Sequence, residues 1–311
     1  MPLISIVTPT FNEVNNIERL SLNIKEICDF NKINYEQIII DNNSNDGTIE
    51  VIKKLTLKYK NIKAIINQSN FGHIRSPYYA ILQSQGDATI CMTSDFQSPP
   101  ELIIDYYKKW ISGSKVVLGR RKKVADSFIL RVIKKIYYNF ILKLSSHKLE
   151  RNVTGEGLYD KSVVKILRTI NDPYPYMRGL IFELGFKIDF VDFDQPPRSS
   201  GASKNNYYSL FDLGLVGIVK HSNVILRIMI LLGFFLSIVS ILLAFGFLIL
   251  KILFWNSFQL GLAPFLIGFF GLTAFQIMIT GLIGEYISTV LSYSKNLPLV
   301  IEKERINFDE I

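Results

Sequence analysis

The chain has 311 residues, of which 49% are hydrophobic and 20% charged, with a mean hydropathy of +0.24 and a formal net charge of +8. These values exclude an intrinsically disordered or collagen-like chain, and the apolar residues are too unevenly spread for a wholly soluble one. The composition changes near residue 223.

Before that point the sequence alternates between two periodicities. Leu3 to Thr8 is a β-branched apolar run closed by Pro9, and Asn15 to Phe30 then carries Ile17, Leu20, Ile24 and Ile27 at helical spacing. The same reading predicts strands at Gln37–Ile40, Ile62–Ile66, Ala88–Met92 and Lys115–Leu118. Helices are predicted at Thr48–Lys58, around Pro77–Gln83 and at Pro100–Trp110. Strand and helix in strict alternation imply an open parallel sheet with helices on its faces, whose ligand lies beyond the carboxyl ends of the strands.

The residues just after those strands are polar. Thr8-Pro9-Thr10-Phe11-Asn12-Glu13 follows the first, and Asp41-Asn42-Asn43-Ser44-Asn45-Asp46-Gly47-Thr48 follows the second. Turn chemistry accounts for Gly47 and Thr48, but not for Asp41, which ends a buried strand and can accept hydrogen bonds from a base or ribose. After the fourth strand comes Thr93-Ser94-Asp95-Phe96-Gln97-Ser98-Pro99-Pro100-Glu101, where Asp95 and Gln97 offer hard oxygens suited to Mg²⁺ or Mn²⁺.

Residues 108–151 hold thirteen Lys or Arg against two acids, Asp126 and Glu150, which exceeds the whole net charge. Within them 127–146 has helical spacing, with Ile129, Val132, Ile133, Ile136 and Phe140 on one side and Arg131, Lys134 and Lys135 on another. That is the pattern of an interfacial helix beside anionic lipid, and it argues against nucleic acid as the partner. Farther on, Glu156 stands between Gly155 and Gly157, Asp160 precedes a helical run as an N-cap, and a second interfacial helix is expected at 207–222. His73, His147 and His221 are too scattered for a metal site.

Ile228 to Leu250 carries no charge and, as a helix, would be roughly 34 Å long, enough to span a bilayer core. A second uncharged stretch, Ile252 to Gly284, accommodates a polar turn at Trp255–Gln259 and another span. Residues 1–223 hold 30 of the 35 Lys and Arg, so both termini are expected in the cytoplasm with a short external hairpin. The expected organisation is a cytoplasmic domain at 1–223, two transmembrane helices within 224–291 and a cytoplasmic tail at 292–311. Cys28 and Cys91 lie in apolar stretches, where a reduced, packed thiol is the default.

In order along the chain, T-P-T-F-N-E, D-N-N-S-N-D-G-T, S-D-F-Q-S-P-P-E and Arg198-x-x-Gly201-x-Ser203-Lys204 resemble glycosyltransferase family 2. The likeness is narrower to its polyisoprenyl-phosphate glycosyltransferases, akin to dolichyl-phosphate mannose synthase. Gly281-Leu282-Ile283-Gly284-Glu285-Tyr286 is similar to the bacterial two-helix members. The resemblance implies an α/β GT-A nucleotide-sugar domain, Rossmann-like with a mostly parallel sheet. It implies that Pro9, Glu13 and Asp41 hold the nucleoside of a donor, read as UDP-linked, and that Asp95 and Gln97 ligate Mg²⁺ or Mn²⁺ on its diphosphate.

By the same resemblance Arg198 and Lys204 close over the phosphates, Arg120, Arg131 and Ser203 receive an acceptor phosphate, and Glu156 is a catalytic or sugar-binding carboxylate. Arg121, Lys122 and Lys123 are read as lipid-facing charge. One position departs from the family: where it usually shows D-x-D, this chain has Thr93 before Asp95. The implied reaction is inverting transfer of a monosaccharide to polyprenyl phosphate at the cytoplasmic face of the inner membrane, with self-association left open.

Two other readings compete. A processive polysaccharide synthase is disfavoured by the lack of a Q-x-x-R-W segment and by only two spans. A catalytically silent membrane protein that binds nucleotide sugar or a partner transporter is motivated by Thr93 and opposed by Asp95, Gln97, Arg198 and Lys204 together. The topology has a direct check. A cysteine at Ser257 is expected to be labelled from outside in intact cells, and terminal tags only after permeabilisation; the opposite pattern reverses the orientation.

Overall fold

A computed structural model of the chain describes residues 1–122, 150, 152–196, 224–254 and 262–308. The expected helices at 127–146 and 207–222, and with them Arg131, Arg198, Ser203 and Lys204, lie outside the described residues. Residues 1–122, 152–196 and 296–308 belong to one compact unit, and 224–254 with 262–295 to a second.

The first unit runs β1 (Leu3–Thr10), α1 (Ile17–Phe30), β2 (Asn34–Asp41), α2 (Thr48–Lys58), β3 (Ile62–Asn67), α3 (Gly72–Leu82), β4 (Ala88–Cys91) and α4 (Leu102–Ile111). It continues with β5 (Val116–Arg121), β6 (Val153–Asp160), α5 (Lys161–Leu167), α6 (Met177–Glu183), β7 (Ile188–Phe193) and β8 (Glu302–Ile306). The helix expected around Pro77 begins earlier, at Gly72, whose φ of +85° turns the chain sharply out of the preceding loop. Pro77 therefore lies inside the helix.

One eight-stranded sheet holds the unit together, in the order β7-β5-β6-β4-β1-β2-β3-β8. Both faces are covered, so neighbouring strand residues enter opposite cores. Ile6, Ile90, Val117 and Leu158 pack on one side with Leu20, Ile24 and Tyr106, while Val7, Cys91, Leu118 and Tyr159 pack on the other with Tyr78 and Val163. α1 buries Ile17, Leu20, Ser21, Ile24 and Cys28, the stripe its spacing predicts. Both cysteines are free and buried, and desolvation raises both thiols, that of Cys28 to about 12.

The sheet is mostly parallel, as the resemblance implies, but it is mixed, with two strands reversed. Parallel pairing joins β1 with β2, β1 with β4, β2 with β3 and β5 with β7. β6, however, runs antiparallel between β4 and β5, and β8 runs antiparallel to β3. Six strands thus share one direction and two oppose it. The start of β6 consequently lies at the carboxyl edge of the others. β8 falls in the segment read as a tail: its alternating charges, Glu302-Lys303-Glu304-Arg305, hid a strand that only one apolar residue, Ile306, closes.

Asp160 caps α5 as expected, its carboxylate accepting from Ser162 N at 2.9 Å. In the second unit α7 (Val224–Leu253) and α8 (Leu262–Ser294) are apolar around their circumference. Large side chains such as Phe234, Leu242, Ile277 and Val290 stand about two-thirds exposed. Among the described residues one segment, Gly271–Ser294, is long and apolar enough to cross a membrane.

At Gly157 β6 meets β5 with no room for a side chain. A Cβ atom there would lie 2.2 Å from Val117 O and 2.9 Å from Leu118 Cα, both backbone atoms with little room to yield. Gly157→Ala is expected to destabilise the unit by at least about 1–3 kcal/mol, read as a lower melting temperature or denaturation midpoint.

Candidate functional site

The carboxyl edge of the sheet collects three loops, and hydrogen bonds tie them together. From the β1–α1 loop, Asn12 N donates to Ser44 Oγ at 2.8 Å and Glu13 N to Thr48 Oγ1 at 2.9 Å. Asn45 N returns a bond to Asn12 Oδ1 at 3.0 Å. Asp46 accepts from Thr48 N and Val14 N, and these bonds overcome partial desolvation to hold its carboxyl below the usual carboxylate range. The Asp-Gly-Thr turn therefore does more than turn the chain: it joins the first two loops. Ser94 Oγ, in the loop after β4, donates to Pro9 O at 3.1 Å and adds the third.

Asp41 ends β2 with no exposed surface. Ser44 N donates to its Oδ2 at 2.8 Å and Ser44 Oγ to its Oδ1. Burial raises its pKa, and the Ser44 bonds only partly offset that. Asp41 thus shapes the loop at the strand end. Pro9 lies near the end of β1 and Glu13 on the loop that follows it, where Glu13 Oε2 accepts from Asn16 Nδ2 at 2.6 Å.

Asp95 and Gln97 flank Phe96, which has a left-handed φ of +57°. An aromatic residue pays about 1–2 kcal/mol for that conformation. Phe96 is held in it by burial in the core and by the Arg19 guanidinium, 4.4 Å from its ring centroid. Gln97 N donates to Asp95 Oδ1 at 3.1 Å across the turn.

β6 brings in a carboxylate from far along the chain. Cys91 pairs with Gly157, so Glu156 arrives beside the residues that follow β4. Thr93 Oγ1 is 3.0 Å from Asp95 Oδ1 and 3.1 Å from Glu156 Oε1, and Ser98 Oγ donates to Glu156 Oε2. Desolvation raises the Glu156 pKa and the Asp95 charge adds to this, against the Ser98 hydrogen bond and the attraction of Arg121.

The arginines divide by strand alternation. Arg120 shares a face with Leu118 and points to β7: its Nε and Nη2 meet the Asp192 carboxylate at 2.6 and 3.0 Å, Nη1 meets Glu150 at 3.3 Å, and Phe190 lies beneath it at 5.2 Å. Arg121 faces the other way and is the guanidinium whose field reaches Glu156. The structure thus brings Asp95, Gln97 and Glu156 together with Thr93, Ser98 and Arg121, and directs Arg120 elsewhere. The signal for Arg121 is its even offset from Val117 and Gly119, on the face of the other core.

Two carboxylates, Asp95 and Glu156, lie within hydrogen-bonding distance of one hydroxyl, that of Thr93. Together with the Gln97 amide, that donor set fits a hard divalent cation completed by diphosphate oxygens and water. Among the described residues no three His, Cys, Asp or Glu side chains form a cluster of their own.

Comparison with known proteins bears on this arrangement. The model of the family described as glycosyl transferase family 2 matches residues 5–167. An uncharacterised glycosyltransferase of Synechocystis is 31% identical over 299 residues, 96% of this chain and 94% of that protein. The chain belongs to glycosyltransferase family 2. Its domain has the GT-A fold, mostly parallel with β6 and β8 reversed. The bactoprenol glucosyl transferase of Shigella phage SfV is 28% identical, across 96% of this chain and 98% of its own length. A crystal structure of glucosyl-3-phosphoglycerate synthase from Mycobacterium tuberculosis with Mn²⁺, UDP and phosphoglyceric acid is 17% identical, with a TM-score of 0.49 over 70% of this chain and 75% of that one.

Thr93 is the position at which this glycosyltransferase is most open to test. Thr93→Asp adds a carboxylate between two others and is expected to tighten Mn²⁺ binding in calorimetric titration. An unchanged titration would place residue 93 outside the cation's ligand sphere.

Proposed function

We propose that this glycosyltransferase transfers one monosaccharide from a nucleotide sugar, read as UDP-linked, to polyprenyl phosphate with inversion, giving a lipid-linked sugar at the cytoplasmic face of the inner membrane. The observation that carries the reading is the convergence of Asp95 and Glu156 on Thr93 at the carboxyl edge of the sheet, with Gln97 N bonded to Asp95. The named activity of the Shigella phage relative, matched along nearly its whole length, supports polyprenyl phosphate as the acceptor.

In this reading the stitched loops bearing Pro9, Glu13 and Asp41 seat the nucleoside, and Asp95, Gln97 and Glu156 lie where the diphosphate and sugar meet. Mg²⁺ or Mn²⁺, when bound there, neutralises charge on the departing nucleoside diphosphate. The acceptor phosphate is already anionic at pH 7, so no side chain has to be made nucleophilic. An acceptor oxygen bonds to the anomeric carbon while the bond to the diphosphate oxygen breaks, and the electron pair leaves with the nucleoside diphosphate. Attack from the opposite face inverts the centre. Arg121 orients the incoming phosphate, with Arg131 and Ser203 contributing from outside the described residues, as do Arg198 and Lys204 on the donor side. Arg120, already paired with Asp192, holds β5 to β7.

Topology supports the membrane placement. The chain leaves the first unit after β7 and rejoins it at Asn296, which supports a reading in which the apolar helices between cross a bilayer an even number of times. That favours two spans, one in each of α7 and α8. The segment leaving β5, the segment leaving β7 and the segment entering β8 all attach at the carboxyl edge, the edge that carries Asp95.

Nucleoside diphosphate release tests the reading. Polyprenyl phosphate is expected to stimulate it several-fold and yield a one-sugar product, with loss in EDTA and in Asp95→Ala. Arg121→Ala is expected to reduce it roughly ten- to a hundred-fold and Arg120→Ala far less. No release under any condition supports the silent binder, and a polymeric product supports a synthase.

A further inference from the structure

β8 touches more than a sheet edge. Its first residue pairs with Asn67, the end of β3, and the contact runs on past the strand: Gln68 N donates to Ile301 O at 2.8 Å and Arg75 Nη2 to Pro298 O at 2.6 Å. Tyr79 Oη donates to Glu302 Oε1 at 2.8 Å. Residues 298–302 therefore lie along the β3–α3 connection and the first turns of α3.

The same connection faces the donor side through two buried asparagines. Asn67 Nδ2 donates to Asn42 Oδ1 and to Ser76 Oγ, both at 3.0 Å. Asn42 Oδ1 also accepts from Phe71 N at 3.0 Å, and Asn42 Nδ2 donates to Gly72 O at 3.1 Å. The Asn42 main-chain N–H reaches Thr10 O at 2.9 Å, at the end of β1. Asn42 follows Asp41 directly. An unbroken hydrogen-bonded path thus leads from Pro298 and Ile301, through residues 67–75, to the strand ends that carry the nucleoside wall. The connection itself, residues 68–71, is a short irregular loop held from both sides, so its shape depends on both.

We propose that residues 298–302 and β8 form a positioning element for the donor. By clamping the β3–α3 connection they fix Asn42 and, with it, the wall that receives the nucleoside diphosphate, so the segment following α8 sets donor affinity. This inference rests on the donor site argued above. Asn67 and Asn42 act as positioning residues, and Arg75 and Tyr79 are the contacts through which the clamp grips α3.

The test uses the full chain in detergent and reads binding by calorimetry with UDP, GDP, CDP and TDP, taking the one that the unaltered protein binds most tightly. Arg75→Ala combined with Tyr79→Phe removes two clamp contacts and touches no proposed donor or metal ligand. The dissociation constant is expected to rise about five- to thirty-fold, with the apparent constant for polyprenyl phosphate unchanged. Arg75→Lys, which keeps a donor, should recover most of the affinity. Hydrogen exchange gives a second reading that does not need activity: amides of residues 42–45 and 68–72 should exchange faster in Arg75→Ala, with those of β4 and α4 unaltered. Unchanged nucleotide affinity or unchanged exchange in those segments overturns the clamp. Failure of the unaltered protein to bind any of the four nucleotides overturns the donor site instead.

Discussion

At Gly157 the chain passes so close to its neighbour strand that no side chain fits, and glycine lets β6 seat between β4 and β5. Any side chain there would push β6 away from Val117 and Leu118. With β6 in place, Glu156 reaches the loop after β4, although on the chain more than sixty residues separate it from Thr93. The Glu156 carboxylate is then desolvated beside Asp95, an arrangement that costs free energy unless neighbours repay it. Thr93, Ser98 and the field of Arg121 do so in part.

The strained turn at Phe96 belongs to the same arrangement. A left-handed aromatic residue persists because its ring is buried in the core and covered by Arg19, so α1 and the sheet together hold Asp95 and Gln97. The loops after β1 and β2 are held differently, by side chains of one capping the backbone of the other. Rigidity here comes from packing on one side of the site and from hydrogen bonds on the other. Both provide the preorganisation that transfer between two anions requires.

The reversal of β8 has a parallel effect at the opposite end of the sheet. Because β8 opposes β3, the segment that follows α8 enters the sheet at its carboxyl edge and runs beside the β3–α3 connection. An antiparallel edge strand rich in alternating charge also leaves little apolar surface for unwanted pairing. Residues 298–302, which belong to the same unit as the sheet, are held beside the β3–α3 connection by a few specific bonds.

The sequence by itself determined the parallel half of this protein. Strand and helix periodicity placed β1 to β4 with α1, α2 and α4, because each element buries a face at a fixed spacing and the polar residues after each strand have no role in that burial. It also determined the apolar helices, since uncharged stretches of that length are legible in composition alone. Only the tertiary structure decided that β6 and β8 run backwards. Pairing direction is a property of two strands and is absent from either one's pattern. That decision brought Glu156 to Asp95, separated the adjacent Arg120 and Arg121 onto opposite faces, and made a clamp of residues that read as a charged tail. Local sequence records which side chains an element presents; which of them meet depends on how distant strands pair.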